Sequence, residues 1–348
     1  MEKMREQFIG CLLGGAIGDA LGYPIEFLDL NEIYDKYGIN GIENLEVNII
    51  LGRSLISDDT QMTLFTVEGI LNSEMKRKNG EDVSIQKCTF DSYERWLYTQ
   101  GYALSDEYNE LIEECNSQLF KHKELFSQRA PGNSCIMSLL NIKDNNFGTI
   151  ENHINSSKGC GGVMRTAPAG LYYINKNKKA FDLGCDLAAI THGHPTGYLS
   201  AGALSSIISD LCVGLTIEEA VENAIEILKS MDRNEEILNA LNMSVLLAKD
   251  GNPNSEKLSQ LGKGWIGEEA LAIAIYCALS YPDDFEKAVK LSVNHSGDSD
   301  STGAICGNIM GAKLGVKSIP KNWIDKLELS DLIEEMAEKL YNNLDNDN

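Results

Sequence analysis

Gly10-Cys11-Leu12-Leu13-Gly14-Gly15-Ala16-Ile17-Gly18-Asp19-Ala20-Leu21-Gly22 decides the fold class, because glycines 10, 14, 18 and 22 recur every four residues within an otherwise apolar run. That spacing puts all of them on one face of an α-helix. A glycine inside a helix costs about 1 kcal/mol relative to alanine, so a whole face of them needs compensation. Close approach of another helix, or of a ligand, to a face without side chains supplies it. Gly303, Gly307, Gly311 and Gly315 repeat the pattern near the other end of the chain. Both helices therefore belong at the centre of the molecule.

Outward from these stripes, Leu, Ile, Val and Ala recur at three- and four-residue spacing over 180–192, 197–213, 216–230, 233–249, 267–280, 282–293 and 329–343. Thr216 with Glu219, and Pro282 followed by acidic residues, mark helix starts. Alternating β-branched runs are almost absent, the nearest being Leu45 to Leu51. The expectation is an all-α protein with loops near 29–57, 143–161 and 250–266. Because acidic motifs about 240 residues apart are read below as one site, one interwoven domain over 1–348 is preferred, its core near 5–327. An acidic helix and frayed tail follow over 328–348.

With 348 residues and 43% hydrophobic content the chain can fill a core. A formal net charge of −22 argues against nucleic acid as partner, since binding a polyanion takes clustered Lys and Arg. Nine cysteines, an odd number without a Cys-x-x-Cys pair, read as reduced and buried; Cys160, between glycines, is the alternative, a nucleophile. Glu2, Glu6 and Asp19 around the first apolar run argue against a signal peptide, and no stretch reaches the roughly 18 to 20 apolar residues of a membrane span. The expected compartment is the cytoplasm, with no membrane partner.

Four segments carry chemistry. In Ser57-Asp58-Asp59-Thr60 two carboxylates precede a helix starting near Thr60. One suffices as a cap, and the second points to a hard cation held by oxygen ligands. Asn294-His295-Ser296-Gly297-Asp298-Ser299-Asp300-Ser301-Thr302-Gly303 has the same grammar. Carboxylates this close either raise a pKa or recruit a metal. An EF-hand is excluded, because its twelfth position would be Ile309. Asp298-x-Asp300-x-Thr302 also fits the aspartyl-phosphatase pattern, but without the lysine and acidic pair that should follow. Ser156-Ser157-Lys158-Gly159-Cys160-Gly161-Gly162 is a glycine-rich turn able to cradle phosphates with backbone N–H groups. In Thr191-His192-Gly193-His194-Pro195-Thr196-Gly197 a ligand-orienting histidine is favoured over zinc, for want of a third nitrogen or sulfur ligand.

Together these segments, with Glu26 and in this order, resemble the ADP-ribosylglycohydrolase family over nearly the whole chain. The resemblance implies a compact all-α bundle holding two Mg²⁺ or Mn²⁺ ions, and ADP-ribosylated protein and ADP-ribose as partners. It implies Ser57, Asp58, Asp59, Asp298, Asp300 and Ser301 as metal ligands, Asp300 bridging. Glu26 falls at the family's gating acidic position; Glu26, Asp59 and Asp300 are the catalytic candidates. Ser157, Gly159, Cys160, Gly161 and Gly162 resemble the diphosphate loop, His192 a ribose contact, and Arg129-Ala130-Pro131-Gly132-Asn133-Ser134 a site-lining segment that brings Gly132 to the substrate. The Thr-His-x-His-Pro-Thr-Gly form is closer to arginine-type members, so the expected reaction is hydrolysis of ADP-ribosylarginine. Serine- or O-acetyl-linked ADP-ribose, a two-metal phosphoesterase and a non-enzymatic ADP-ribose binder are the alternatives.

Overall fold

The computed structural model describes residues 2–102, 117–142 and 146–344. Its centre is the pair of glycine-striped helices, Glu2–Gly22 and Ser299–Leu314, packed antiparallel along their bare faces. A Cβ added at Gly18 would lie 1.9 Å from the Gly303 carbonyl oxygen, at Gly14 2.4 Å from that of Gly307, and at Gly10 2.6 Å from that of Gly311. The occupant of each bare face is thus the other helix. Backbone contact at this range supplies the dispersion and Cα–H···O interactions that offset the glycine cost. Gly315 ends the stripe differently: at φ 79° it stops the helix and gives its N–H to Gly311.

Around this pair the chain is all-α, with no strand among the described residues and two isolated bridges, Ser54 to Leu327 and Gly159 to Ile266. One apolar cluster runs from Phe8 to Leu340. The first helix is long and apolar enough to cross a bilayer by length and composition, which the sequence reading missed, but here 89% of that window is buried inside the protein. The final helix, Ser330–Asn342, buries Leu332, Ile333, Met336, Ala337 and Leu340 against the core. The last four residues, with the acidic tail, lie outside the described residues.

The expected helices match in kind, with shifted ends. Ile217–Lys229 is capped by Thr216 and Glu219 as read, and Gly267–Ser280 has the expected bounds. The helix assigned to Pro282 starts instead at Phe285, because the Asp284 side chain accepts the Lys287 N–H and fixes the first turn there. Two expected loops contain helices. Leu30–Tyr37 opens with a capping box of Asp29 and Glu32, and Ser255–Ser259 is capped by Asn254. Residues 143–145 of the third expected loop are outside the described residues.

Candidate active site

The glycine seam sets the site's position. Its last contact brings Gly22 against Ser299, where a Cβ would meet the Ser299 carbonyl oxygen at 2.3 Å. The first helix therefore ends where the Ser299 helix begins, and the 3-10 turn Tyr23–Ile25 delivers Glu26 beside Asp298 and Asp300. Carboxylate oxygens of these three buried residues lie within 4.8 Å of one another.

Asp19, one turn before Gly22, fixes the second acidic motif. Its fully buried carboxylate accepts the Ser57 N–H at 2.9 and 3.0 Å, the Thr60 N–H at 3.1 Å and the Thr60 hydroxyl. Ser57 caps the helix by accepting the Asp59 N–H at 3.1 Å, so the helix begins at Asp58, two residues before the expected start. With the first N–H groups satisfied, Asp58 and Asp59 turn into the same cavity as Glu26, Asp298, Asp300 and Ser301, a space of about 330 Å³. The Asp58 N–H donates to the Arg129 carbonyl, and Asp58 Oδ2 accepts the Gly132 N–H at 3.2 Å. The Arg129 segment is thereby held on the cavity wall, braced by an Arg129–Glu328 ion pair.

The glycine turn forms the opposite wall. Cys160–Gly162 is a short 3-10 helix anchored by Cys160 N–H to the Trp265 carbonyl. The Cys160 thiol donates to Asp298 Oδ2 at 2.7 Å, and its burial, followed by the nearby Asp298 and Asp59, holds it well above the usual thiol range. A protonated thiol beside a carboxylate does not serve as a nucleophile. Gly159, Gly161 and His192 line the cavity, whereas Ser57, Ser157 and Gly162 lie outside its lining. Ser157 borders the neighbouring groove and pairs with the Ser134 hydroxyl at 2.8 Å. His192 and His194 do not form a metal pair: His194 Nδ1 accepts the Thr196 N–H at 3.2 Å, and His192 Nδ1 faces the Thr191 hydroxyl. Asp298 caps a helix rather than ending a strand, so the aspartyl-phosphatase setting is absent there.

Burial pushes Glu26 up to about 9, with Asp298, Asp58 and Asp19 adding repulsion. Burial followed by mutual repulsion likewise holds Asp59 and Asp300 well above the carboxylate range. Burial raises Asp58 in spite of the Gly132 N–H, and raises Asp298 in spite of hydrogen bonds from Cys160 and Ser301. Glu26 Oε2 and Asp59 Oδ2 are buried without a hydrogen-bond partner. A desolvated group of five acids with partnerless oxygens is the arrangement a divalent cation relieves, and an all-oxygen donor set suits Mg²⁺ or Mn²⁺ over zinc. The residues present fit such ions.

Sequence reading missed several contributors. Asp19 stood inside the quoted stripe, and its signal was a carboxylate on an apolar helix where no exposed face exists. Phe27 and Trp265, stacked at 5.8 Å between centroids on the cavity rim, carried no motif.

The chain resembles a solved ADP-ribosylglycohydrolase-related protein complex with a TM-score of 0.66, at 23% identity over 99% of this chain and 100% of that one. It is 23% identical to the ADP-ribosyl-dinitrogen reductase glycohydrolase of Rhodospirillum rubrum over 94% of this chain and 92% of that protein. It is 24% identical to the ADP-ribosylarginine hydrolase Tri1 of Serratia proteamaculans over 95% of this chain and 78% of that protein. The profile of the ADP-ribosylglycohydrolases matches residues 1–348. An all-α frame that gathers two aspartate motifs, Glu26 and a glycine turn around one cavity thus belongs, over its whole length, to the ADP-ribosylglycohydrolase family.

Proposed function

We propose that this chain hydrolyses the N-glycosidic bond joining ADP-ribose to arginine side chains of modified proteins, with two divalent cations. The observation that carries the reading is the convergence of five buried carboxylates, two with partnerless oxygens, on a cavity walled by a glycine turn. Relatives named for ADP-ribosylarginine and ADP-ribosyl-dinitrogen reductase support the substrate class.

Asp58, Asp59, Asp298, Asp300 and Ser301 would hold the ions; Ser57, which caps the helix, keeps a hydroxyl oxygen beside Asp59. Bound cations would orient vicinal ribose hydroxyls, offset developing charge and lower the pKa of water. The chain's own residues do the rest. N–H groups of the glycine turn receive the diphosphate. Glu26 and Asp59 are the carboxylates placed to move a proton between water and the departing nitrogen. The Phe27–Trp265 rim beside Glu26 suits a guanidinium, which gains from an aromatic face and a nearby anion. An arginine leaving group departs as a readily protonated guanidine, whereas a serine alkoxide demands a strictly placed acid.

The test is side-by-side hydrolysis of two peptides differing only in the linked residue, read as free ADP-ribose with and without Mg²⁺. Arginine-linked peptide should be cleaved at least ~10-fold faster, about 1.4 kcal/mol in barrier. Equal rates, or faster serine release, would refute the arginine assignment. Full turnover in verified metal-free protein would refute the role of the cations, and released inorganic phosphate would favour a phosphoesterase.

A further inference from the structure

Arg165 is fully buried, and among the described residues no carboxylate pairs with it. Burying an unpaired charge is costly, so its surroundings must do something for it. The Tyr93 ring faces its guanidinium at 4.3 Å, and its NH2 group donates to the Leu187 carbonyl and, at 2.7 Å, to the Thr191 hydroxyl. That hydroxyl lies 2.8 Å from Nδ1 of His192, whose ring lines the cavity.

We propose that Arg165 and Thr191 are positioning residues that set the tautomer of His192, so that Nδ1 is an acceptor and Nε2–H is the hydrogen-bond donor offered to the bound ligand. The argument is one of donors and acceptors. Guanidinium has no acceptor, so Arg165 must donate, and the Thr191 oxygen is the receiver. A hydroxyl that accepts a charge-assisted hydrogen bond becomes a better donor and a poorer acceptor of a second one. Its single proton has two neighbours, His192 Nδ1 and the Cys135 sulfur. Sulfur is the weaker acceptor and already faces an Arg165 N–H at 3.4 Å, so the proton goes to Nδ1.

Nε2 then keeps the ring's hydrogen, and no protein group among the described residues receives it. The glycines leave room for that: a Cβ at Gly159 or at Gly161 would sit 3.4 Å from Nε2. Burial, with the Arg165 charge second, pushes the ring down to about 3, which agrees with a neutral donor rather than a proton shuttle. An orienting donor of this kind holds substrate oxygen without competing with the carboxylates for the transferred proton. The identity of that oxygen as part of ADP-ribose rests on the proposed function, but the tautomer does not.

The test is a nitrogen-15 spectrum of the full chain, in which His192 is one of five histidines and is assigned by its loss in His192→Gln. The wild type should show the Nε2–H tautomer, and ADP-ribose should shift that nitrogen. Thr191→Val should lose the single tautomer and weaken ADP-ribose binding by about 10-fold, the loss of one hydrogen bond. Thr191→Ser should keep both. A wild-type Nδ1–H tautomer would overturn the proposal, as would an unchanged spectrum in Thr191→Val. Should that variant not fold, the wild-type tautomer still decides. A wild type with the expected tautomer and no ADP-ribose binding would refute the proposed function and leave the relay standing.

Discussion

Two sets of glycines build this molecule, and they do opposite things. In the seam between the first helix and the Ser299 helix, a missing Cβ is filled at once by backbone of the other helix. In the turn at Gly159 to Gly162, the nearest atoms to a built Cβ are the His192 ring, the Cys135 sulfur and other side-chain atoms at 3.0 Å and beyond. The first set brings helices together; the second keeps a wall thin. The same residue type therefore reports packing in one place and room for a ligand in the other, and what lies opposite decides which.

The seam is the part most exposed to substitution. A Cβ at Gly18 would stand 1.9 Å from the Gly303 carbonyl oxygen, in a stretch of helix buried at every residue from Gln7 to Gly22. Gly18→Ala should therefore destabilise by about 3 kcal/mol or more, outweighing the ~1 kcal/mol helix-propensity gain. Thermal unfolding should show a fall of roughly 4 °C or more. Gly132→Ala is the control, since its φ is −60° and nothing lies within 4 Å of the added atom. Equal melting temperatures for Gly18→Ala and wild type would mean that the seam is looser than described.

These differences also explain what was legible. The stripes were visible because a period of four is written in sequence, but a bare face does not say whether helix or ligand covers it. Only the register, Gly10 to Gly311 through Gly22 to Ser299, resolves that. The acidic motifs were legible as local grammar, each a run of carboxylates and hydroxyls at a helix start. Asp298 capping its own helix is part of that grammar, whereas Asp19 satisfying the backbone of the Ser57 motif is a tertiary fact without local signature. The Leu30–Tyr37 helix was missed although Asp29 and Glu32 spell a capping box and Leu30, Ile33, Tyr34 and Tyr37 keep helical spacing, because two turns are too short a run to stand out and only Ile33 of it is buried. Arg165 belongs to no motif read from the sequence, and nothing local marks a cation that will be buried.

Asp300 stands where seam and cavity meet, and it separates their contributions. Asp300→Asn keeps shape and removes charge, so it should lower turnover at least ~100-fold at saturating metal while the fold survives. Its effect on stability has a sign of its own. Buried acids whose folded pKa is raised, Glu26 to about 9 and Asp300 well above the usual range, contribute stability fully below their unfolded pKa. That contribution is lost as pH climbs through the folded value. His192 and His295, pushed by burial to about 3 and about 4, act oppositely and only below about 6.5. Between pH 6.5 and 7.5, below the range in which the unfolded state's cysteines ionise, the acids should set most of the slope: metal-free protein should melt lower at pH 7.5 than at 6.5, and Mg²⁺ or Asp300→Asn should flatten the fall. Wild-type turnover in the variant, or no slope in the metal-free protein, would remove Asp300 from the cluster.

The smallest effect on stability, and the sharpest on the comparison, is expected at Gly161. A Cβ there would lie 3.0 Å from the Cys135 sulfur and 3.2 Å from His192 Cε1, so two side chains must give by a few tenths of an ångström. Side chains beside a cavity can do so, whereas the backbone opposite Gly18 cannot. Gly161 also sits in a short 3-10 helix, a conformation alanine adopts freely. The melting temperature of Gly161→Ala should therefore stay within about 2 °C of wild type, a stability change near 1 kcal/mol. Binding is another matter, because the added methyl thickens the wall that receives the ligand and tilts the His192 ring. If the turn serves binding in ground state and transition state alike, KM should rise by about 10-fold with kcat little changed. A steady-state series on the arginine-linked peptide, run beside a melting curve, checks both. A large loss of stability would make the turn a second seam, and an unchanged KM would mean that its thinness leaves room for nothing.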